Sequence, residues 1–233
     1  AEAKGDYIAL LDADDYWKPE YLERVAALIG RYPGCGLYSM GFEVHRPEGV
    51  FPNETVMQEG IVGNYFRTAM RVNLTQTSSV TIPRAVFERL GGFPEGMKLG
   101  EDQYVWTKIA RTYPVCYSPQ RFSEFNLMAQ NRSAQNYKME RTPYSFWEFY
   151  DPGTPDCNEY IARCEIGKAL VHSVYGYTDA ALEVERRYSY NRHYRLGWWK
   201  LRILNRLPVM WRRPLLDSYK RVTWLVSKKG LLG

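Results

Sequence analysis

Asp12, Asp14 and Asp15 fall within four positions of one another in "YIALLDADDYW", directly after the apolar run Ile8–Leu11. Carboxylates crowded at the end of a buried strand repel one another unless a cation joins them. Oxygen ligands of this kind suit Mg²⁺ or Mn²⁺, which also bind substrate phosphates. In open α/β sheets ligands gather outside the carboxyl ends of the strands, where this cluster falls. Two other readings stand beside the cation. Asp is a turn former and helix cap, and Asp15 fits that role. A calcium loop would use Asp12, Asp14 and Glu23 at its positions 1, 3 and 12, but Trp17 stands where such a loop needs Gly.

A second carboxylate pair, Glu101 and Asp102, follows Gly100 in "GGFPEGMKLGEDQYVW" and opens a helix. A helix N-terminus favours ionised carboxylates, and an acidic first turn is also ordinary capping. Taken with the first cluster, the pair offers a division of labour. One carboxylate holds metal and phosphate while another takes a proton from an attacking hydroxyl. Thr75 to Ser79, in "QTSSVTIP", can line a polar pocket or form a hydroxyl-rich strand edge.

The elements that must position these groups read as follows. Ile8–Leu11 is expected to be a buried parallel strand. Pro19 opens a helix whose Leu22, Val25, Ala26 and Ile29 recur at helical spacing, closed by "RYPGCG". A strand covers roughly 36–44, "HRPEGVFPNET" is a loop, and 57–72 is mixed and mainly helical. "SSVTIP" is a strand, "RAVFERL" a helix, and "EDQYVWTKIART" an amphipathic helix with Tyr104, Val105 and Ile109 on one side. "YPVCYSP" is a short strand, and the remainder is helical with loops at "DPGTPD" and "LPVMWRRP". Strands alternating with helices, then helices alone, give an α/β fold with an α-helical C-terminal appendage. The domains expected are 1–130, carrying the carboxylates, and 131–233, a basic helical extension.

Composition narrows the classes. With 45% hydrophobic and 24% charged residues, the chain of 233 residues can bury a sizeable core. Its four cysteines make no CxxC pair and no zinc spacing, and read as free thiols of a reducing, cytoplasmic setting. His45, His172 and His193 lack metal-ligand spacing. No apolar run is long enough to span a membrane, and the polar start "AEAKGD" is not a signal peptide. A start without Met that leads at once into an interior strand suggests a fragment lacking an N-terminal part.

Charge is unevenly placed. Residues 186–229 carry 13 Lys or Arg against Asp217 alone, +12, so the +5 of the whole leaves −7 for the rest. Leu196, Trp199, Ile203 and Leu207 fall at helical spacing, as do Tyr219, Val222 and Val226. Basic helices with apolar stripes lie in anionic membrane interfaces. Nucleic-acid binding and a solvated face packed on the acidic body are the alternatives.

The motifs together resemble glycosyltransferase family 2, whose members have the GT-A fold. "YIALLDADDYWKPEYLE" resembles its "YI-x-x-LD-x-DD-x-W-x-P-x-x-LE" block, "GGFPEGMKLGEDQYVW" its "G-G-F-x-E…GED-x-x-x-W" block, and "TSSVTIPRAVFERLGGF" the lead-in to the latter. The resemblance covers roughly residues 1–120. It implies a GT-A-like mixed sheet flanked by helices, with the family's N-terminal nucleotide-binding half missing. It implies that Asp14 coordinates Mg²⁺ or Mn²⁺ bridging a nucleotide-diphosphate sugar donor, and that Asp12 meets the ribose or the metal shell. Asp102 would be the general base and Glu101 would shape the acceptor site. The reaction implied is a single inverting displacement onto a glycan or lipid-linked acceptor, in cell-surface polysaccharide or glycolipid synthesis. The Q-x-x-R-W block of processive members is missing, so transfer of one sugar is expected. A lipid-linked acceptor would place the protein at the inner face of the cell membrane. A non-catalytic sugar-nucleotide-binding or membrane-recruiting module is the alternative.

Overall fold

The computed structural model describes residues 2–53, 57–128, 138–139 and 142–228, with side chains described as far as residue 218. The chain divides into two compact units, one of Ala1–Gln135 with Arg141–Tyr160, the other of Asn136–Glu140 with Ile161–Gly233.

The first unit is built on a seven-stranded mixed sheet. Its strands are β1 (Tyr7–Ala9), β2 (Tyr16–Trp17), β3 (Leu37–Arg46), β4 (Gly49–Pro52), β5 (Gly60–Ile61), β6 (Val80–Pro83) and β7 (Val115–Asn126). The order along the sheet is β1-β6-β3-β7-β2, with β4 beside β3 and β5 beside β7. β3 and β7 run parallel and the other pairs antiparallel. β1 and β2 therefore lie at opposite ends of this order, and the acidic segment Leu10–Asp15 crosses between them.

Helix α1 (Tyr21–Arg31) buries Tyr21, Val25 and Leu28, the face its spacing predicts, and leaves Leu22 exposed. Tyr21 and Val25 pack with Met40 of β3, while Leu28 packs with Tyr38, Cys35 and Cys116. Fully burying a side chain of this size is worth about 1.5–3 kcal/mol, so α1 fixes one face of the sheet. Trp17 stacks on Tyr21 with ring centroids 4.4 Å apart, which ties β2 to α1. All four cysteines are buried and make no disulfide.

The β3–β7 pairing slips on either side of Gly41, where β7 carries the surplus residues: Met40 faces Ser118, Gly41 faces Arg121 and Phe42 faces Ser123. A Cβ at position 41 would lie 2.7 Å from the Pro119 carbonyl oxygen, so only glycine fits this bulge. Beyond the bulge, the end of β7 comes alongside β2, pairing Trp17 with Ser123 and Tyr16 with Glu124.

Four expectations need correction. β1 is an antiparallel strand whose only partner among the described residues is β6, and Leu11 is exposed. An apolar run reports contact with a core but encodes neither strand direction nor partner. "HRPEGVFPNET" holds β4, which turns back on β3 through Pro47 and Glu48. Every residue of β4 is exposed, so it has no alternation to read. "YPVCYSP" holds the start of a strand of 12 residues, carried past Pro119 by the bulge. In "LPVMWRRP", helix α8 (Val209–Lys228) starts at Val209 and contains Pro214. That proline cannot donate to the Met210 carbonyl, which water can satisfy because Met210 is strongly exposed.

Helix α2 (Tyr65–Ala69) is capped by Asn64, whose side chain accepts from the Arg67 N–H at 3.0 Å. Helix α3 (Arg84–Arg89) follows β6, and α4 (Glu101–Thr112) precedes β7. α4 buries Tyr104, Val105, Trp106, Thr107 and Ile109, a wider face than the stripe its spacing suggests. The single turn Phe146–Phe149 supplies part of that extra cover: both phenylalanine rings pack on Tyr104, whose hydroxyl donates to Glu148 at 2.6 Å.

Helix α5 (Pro155–Val174) begins in the first unit and continues in the second, which also holds α6 (Thr178–Arg187), α7 (Arg195–Arg206) and α8. Glu185 on α6 is buried and accepts from Asn205 and Arg206 at 3.0 and 2.9 Å. Burial pushes the Glu185 carboxyl up, but these hydrogen bonds outweigh it and hold the group below its ordinary value. Buried Arg212 donates to the Leu207 carbonyl (2.9 Å), the Ser173 carbonyl (2.9 Å) and the Thr178 hydroxyl (2.8 Å). Arg212→Ala orphans these acceptors and is expected to cost about 2–3 kcal/mol, read as a lower urea midpoint. No described helix is long and apolar enough to cross a membrane.

Candidate active site

The acidic segment is a turn closed by its own backbone, with the Asp15 N–H donating to the Asp12 carbonyl at 3.1 Å. Its three carboxylates have different surroundings. Asp12 is exposed, Asp14 half-buried and Asp15 buried. Asp15 Oδ2 accepts from the Ser78 hydroxyl at 2.6 Å and from the Gln76 amide at 2.9 Å. Its Oδ1 accepts from the Asn126 N–H at 2.9 Å. Asp15 therefore takes part in the turn, as its sequence position suggests, and also joins the approach to β6 to the end of β7.

Ser78 serves both sides of the turn. Its hydroxyl oxygen accepts from the Asp12 N–H at 3.0 Å, and its carbonyl accepts from the Trp17 indole at 2.6 Å. Ser78 belongs to the single helical turn Thr77–Ser79, inside the hydroxyl-rich stretch that sequence singles out. The stretch acts as a support for the acidic turn. The partners of Asp15 lie 61 to 111 positions away from it, so sequence alone could not name Gln76, Ser78 and Asn126 as its frame.

The second pair opens α4. Gly100 precedes it with φ +76°, a left-handed backbone that glycine adopts without strain. Asp102 Oδ1 accepts from the Gln103 N–H at 2.6 Å, and Oδ2 accepts from the Thr77 hydroxyl at 3.3 Å. The capping role read from sequence is thus part of what Asp102 does. The Thr77 bond adds a tie to the turn that also holds Asp12 and Asp15.

Electrostatics links the two clusters. Loss of hydration, then repulsion from Asp15, Asp14 and Glu101, pushes the Asp12 carboxyl up. Burial pushes the Asp102 carboxyl to about 6; the Gln103 N–H and Thr77 hydroxyl oppose the rise, while Glu101 and Asp12 add to it. Asp12, Asp14, Asp15, Glu101 and Asp102 therefore form one negative patch, assembled from segments some ninety residues apart. Among the described residues none of the five makes an ion pair with Lys, Arg or His.

This donor set fits a cation that takes one or two carboxylates and draws its other ligands from substrate phosphates and water. It does not fit a site made wholly of protein ligands. The described cluster that brings three ligand atoms within 4.8 Å of one another is instead Glu43, His45 and Glu124. There Lys18 Nζ lies 2.8 Å from Glu43 and His45 Nε2 lies 3.1 Å from Glu124, so neighbouring side chains meet the carboxylates. His45 is thereby a partner of Glu124 rather than an isolated residue. A cleft of about 770 Å³, lined among others by Asn64, Phe66, Arg111 and Asp151, touches none of the five acidic residues.

The stretch 1–74 matches the family model "Glycosyl transferase family 2". It contains the whole acidic turn. The match covers 74 of the 233 residues, about the N-terminal third of the chain. Asp102 and the Thr77–Ser79 turn lie beyond the matched stretch, and geometry is what joins them to it. Among solved structures, a crystal structure of S. aureus TarS residues 1–349 is similar in fold, with a TM-score of 0.51. The likeness covers 94% of this chain and 68% of that one at 14% identity. The mixed sheet with flanking helices is accordingly GT-A-like. No curated protein matches the chain. Family 2 transferases move a sugar from a nucleotide-sugar donor to an acceptor, and the N-terminal part of this chain is similar to them.

Proposed function

We propose that this chain is a family 2 glycosyltransferase, metal-dependent and inverting, moving one sugar from a nucleotide-diphosphate donor to a hydroxyl of a glycan or lipid-linked acceptor. The observation that carries the reading is the convergence of two carboxylate groups of different character on one short turn. Asp12 and Asp14 form the more open group, and Asp102 is the more enclosed, with its carboxyl raised to about 6.

Asp14, with Asp12, would hold Mg²⁺ or Mn²⁺. The cation supplies positive charge against the leaving nucleoside diphosphate. Asp102 receives the proton of the acceptor hydroxyl as that oxygen attacks the anomeric carbon, opposite the leaving group. A single displacement from that side inverts the configuration. Thr77 and the Gln103 N–H orient the two Asp102 oxygens, and a base with a pKa near 6 is close enough to neutrality to work both ionised and reactive. Glu101, adjoining, would shape the acceptor side.

Release of nucleoside diphosphate from a panel of nucleotide sugars, measured with Mn²⁺, with Mg²⁺ and with EDTA, tests the reading. Turnover is expected only with a cation, and Asp14→Ala is expected to reduce it at least about 10²-fold. Full turnover in EDTA would overturn the metal role. Tight donor binding without turnover across the panel would favour a non-catalytic module.

A further inference from the structure

Helix α7 is apolar on two opposite faces. Trp198, Leu201 and Leu204 are buried in the second unit, while Leu196, Trp199 and Ile203 point outward, 77, 47 and 53% exposed. The outward face of a surface helix is ordinarily polar. Two residues after α7, helix α8 opens with Met210 and Trp211, 76 and 62% exposed. The bonds from Arg212 to Ser173, Thr178 and Leu207 pin this opening, so the apolar side chains project from a fixed base.

The sequence that carries this face is strongly basic: residues 186–229 sum to +12, with Asp217 as their one acid. On α7, Arg195, Arg202 and Arg206 border the outward stripe at helical spacing. The Arg195 and Arg202 guanidinium carbons lie 5.9 and 5.3 Å from the Trp199 ring centroid, which keeps cationic groups beside the exposed indole.

We propose that the outward face of α7, with the first turn of α8, docks on an anionic lipid surface. Leu196, Trp199 and Ile203 enter the headgroup boundary, and Arg195 and Arg202 meet lipid phosphates, Arg206 being held by Glu185. Charge complementarity together with aliphatic exposure selects this occupant. A nucleic acid would satisfy the arginines and the indole, but Leu196, Ile203 and Met210 would gain nothing from phosphates or stacked bases. A second copy of the chain would bury the apolar stripe while setting like charges against each other across a two-fold axis. The proposal uses no part of the transfer chemistry, so either can fail without the other.

The test is flotation of the full chain with phosphatidylcholine vesicles, with and without phosphatidylglycerol. Binding is expected to require phosphatidylglycerol and to weaken with added salt. The triple variant Leu196→Ser, Trp199→Ser, Ile203→Ser should bind at least about tenfold more weakly, with unchanged circular dichroism and urea midpoint, because all three side chains are exposed. Brominated lipid should quench tryptophan emission of the unaltered chain more than that of Trp199→Phe. Three results would overturn the proposal: no binding to phosphatidylglycerol vesicles at low salt, equal binding by the triple variant, or a dimer in light scattering that the triple variant dissolves.

Discussion

Asp102→Asn is expected to lower kcat about 10²–10⁴-fold while leaving donor binding nearly intact. The amide oxygen can still accept from the Gln103 N–H, so the start of α4 is kept and only the proton acceptor is lost. For the unaltered chain, kcat/KM should fall about tenfold per pH unit below about 6, since that profile reports the free enzyme's base. The residual activity of Asp102→Asn should lack this limb. Stability should move the opposite way. Because the folded carboxyl titrates above the ordinary 3.8, the native state holds its proton more tightly than the unfolded chain between about pH 4 and 6. Stability contributed by this group therefore falls as pH rises through that window and stays lower above it. Asp102→Asn should raise the urea midpoint at pH 8 and leave it unchanged near pH 4, the signature of a group kept for chemistry at a structural cost. A variant with unchanged kcat, or a profile flat through pH 6, would remove Asp102 from the role of base.

The second large effect concerns a residue assigned no chemistry. Asp15→Ala is expected to cost about 3 kcal/mol, because it strips acceptors from the Ser78 hydroxyl, the Gln76 amide and the Asn126 N–H at a buried site. Turnover should fall with it, since the Asp12–Asp14 turn loses its tie to β6 and β7. Contrast with Asp14→Ala separates support from chemistry. Asp14 is half-buried, so Asp14→Ala should leave the urea midpoint within about 0.5 kcal/mol of the unaltered chain while turnover collapses. If Asp15→Ala melts like the unaltered chain, the frame drawn around Asp15 is wrong.

What sequence reveals here is local: candidate groups close together along the chain. Asp12, Asp14, Glu101 and Asp102 announce themselves by type and spacing, and α1 and α4 by helical periodicity. What it hides is set by distant partners. Nothing near Asp15 distinguishes a turn former from a buried junction, because its three donors come from Gln76, Ser78 and Asn126. β1 shows an apolar run but not the antiparallel neighbour it pairs with, and β4 shows no pattern because all of it is exposed. In α7 the period of Leu196, Trp199 and Ile203 is plain, yet a helix apolar on both sides does not say which side meets the core. The structure buries Trp198, Leu201 and Leu204 instead. The second stripe, Tyr219, Val222 and Val226, lies outside the residues whose side chains are described.

The turn Thr77–Ser79 has a geometric consequence for the reaction. Thr77 bonds Asp102, and Ser78, the very next residue, bonds both Asp15 and the Asp12 backbone. Asp102 and the Asp12–Asp15 turn are thus anchored on adjacent residues, whose Cα atoms lie one peptide unit, about 3.8 Å, apart. One residue inserted between Thr77 and Ser78 would separate the anchor of Asp102 from the anchor of Asp12 and Asp15.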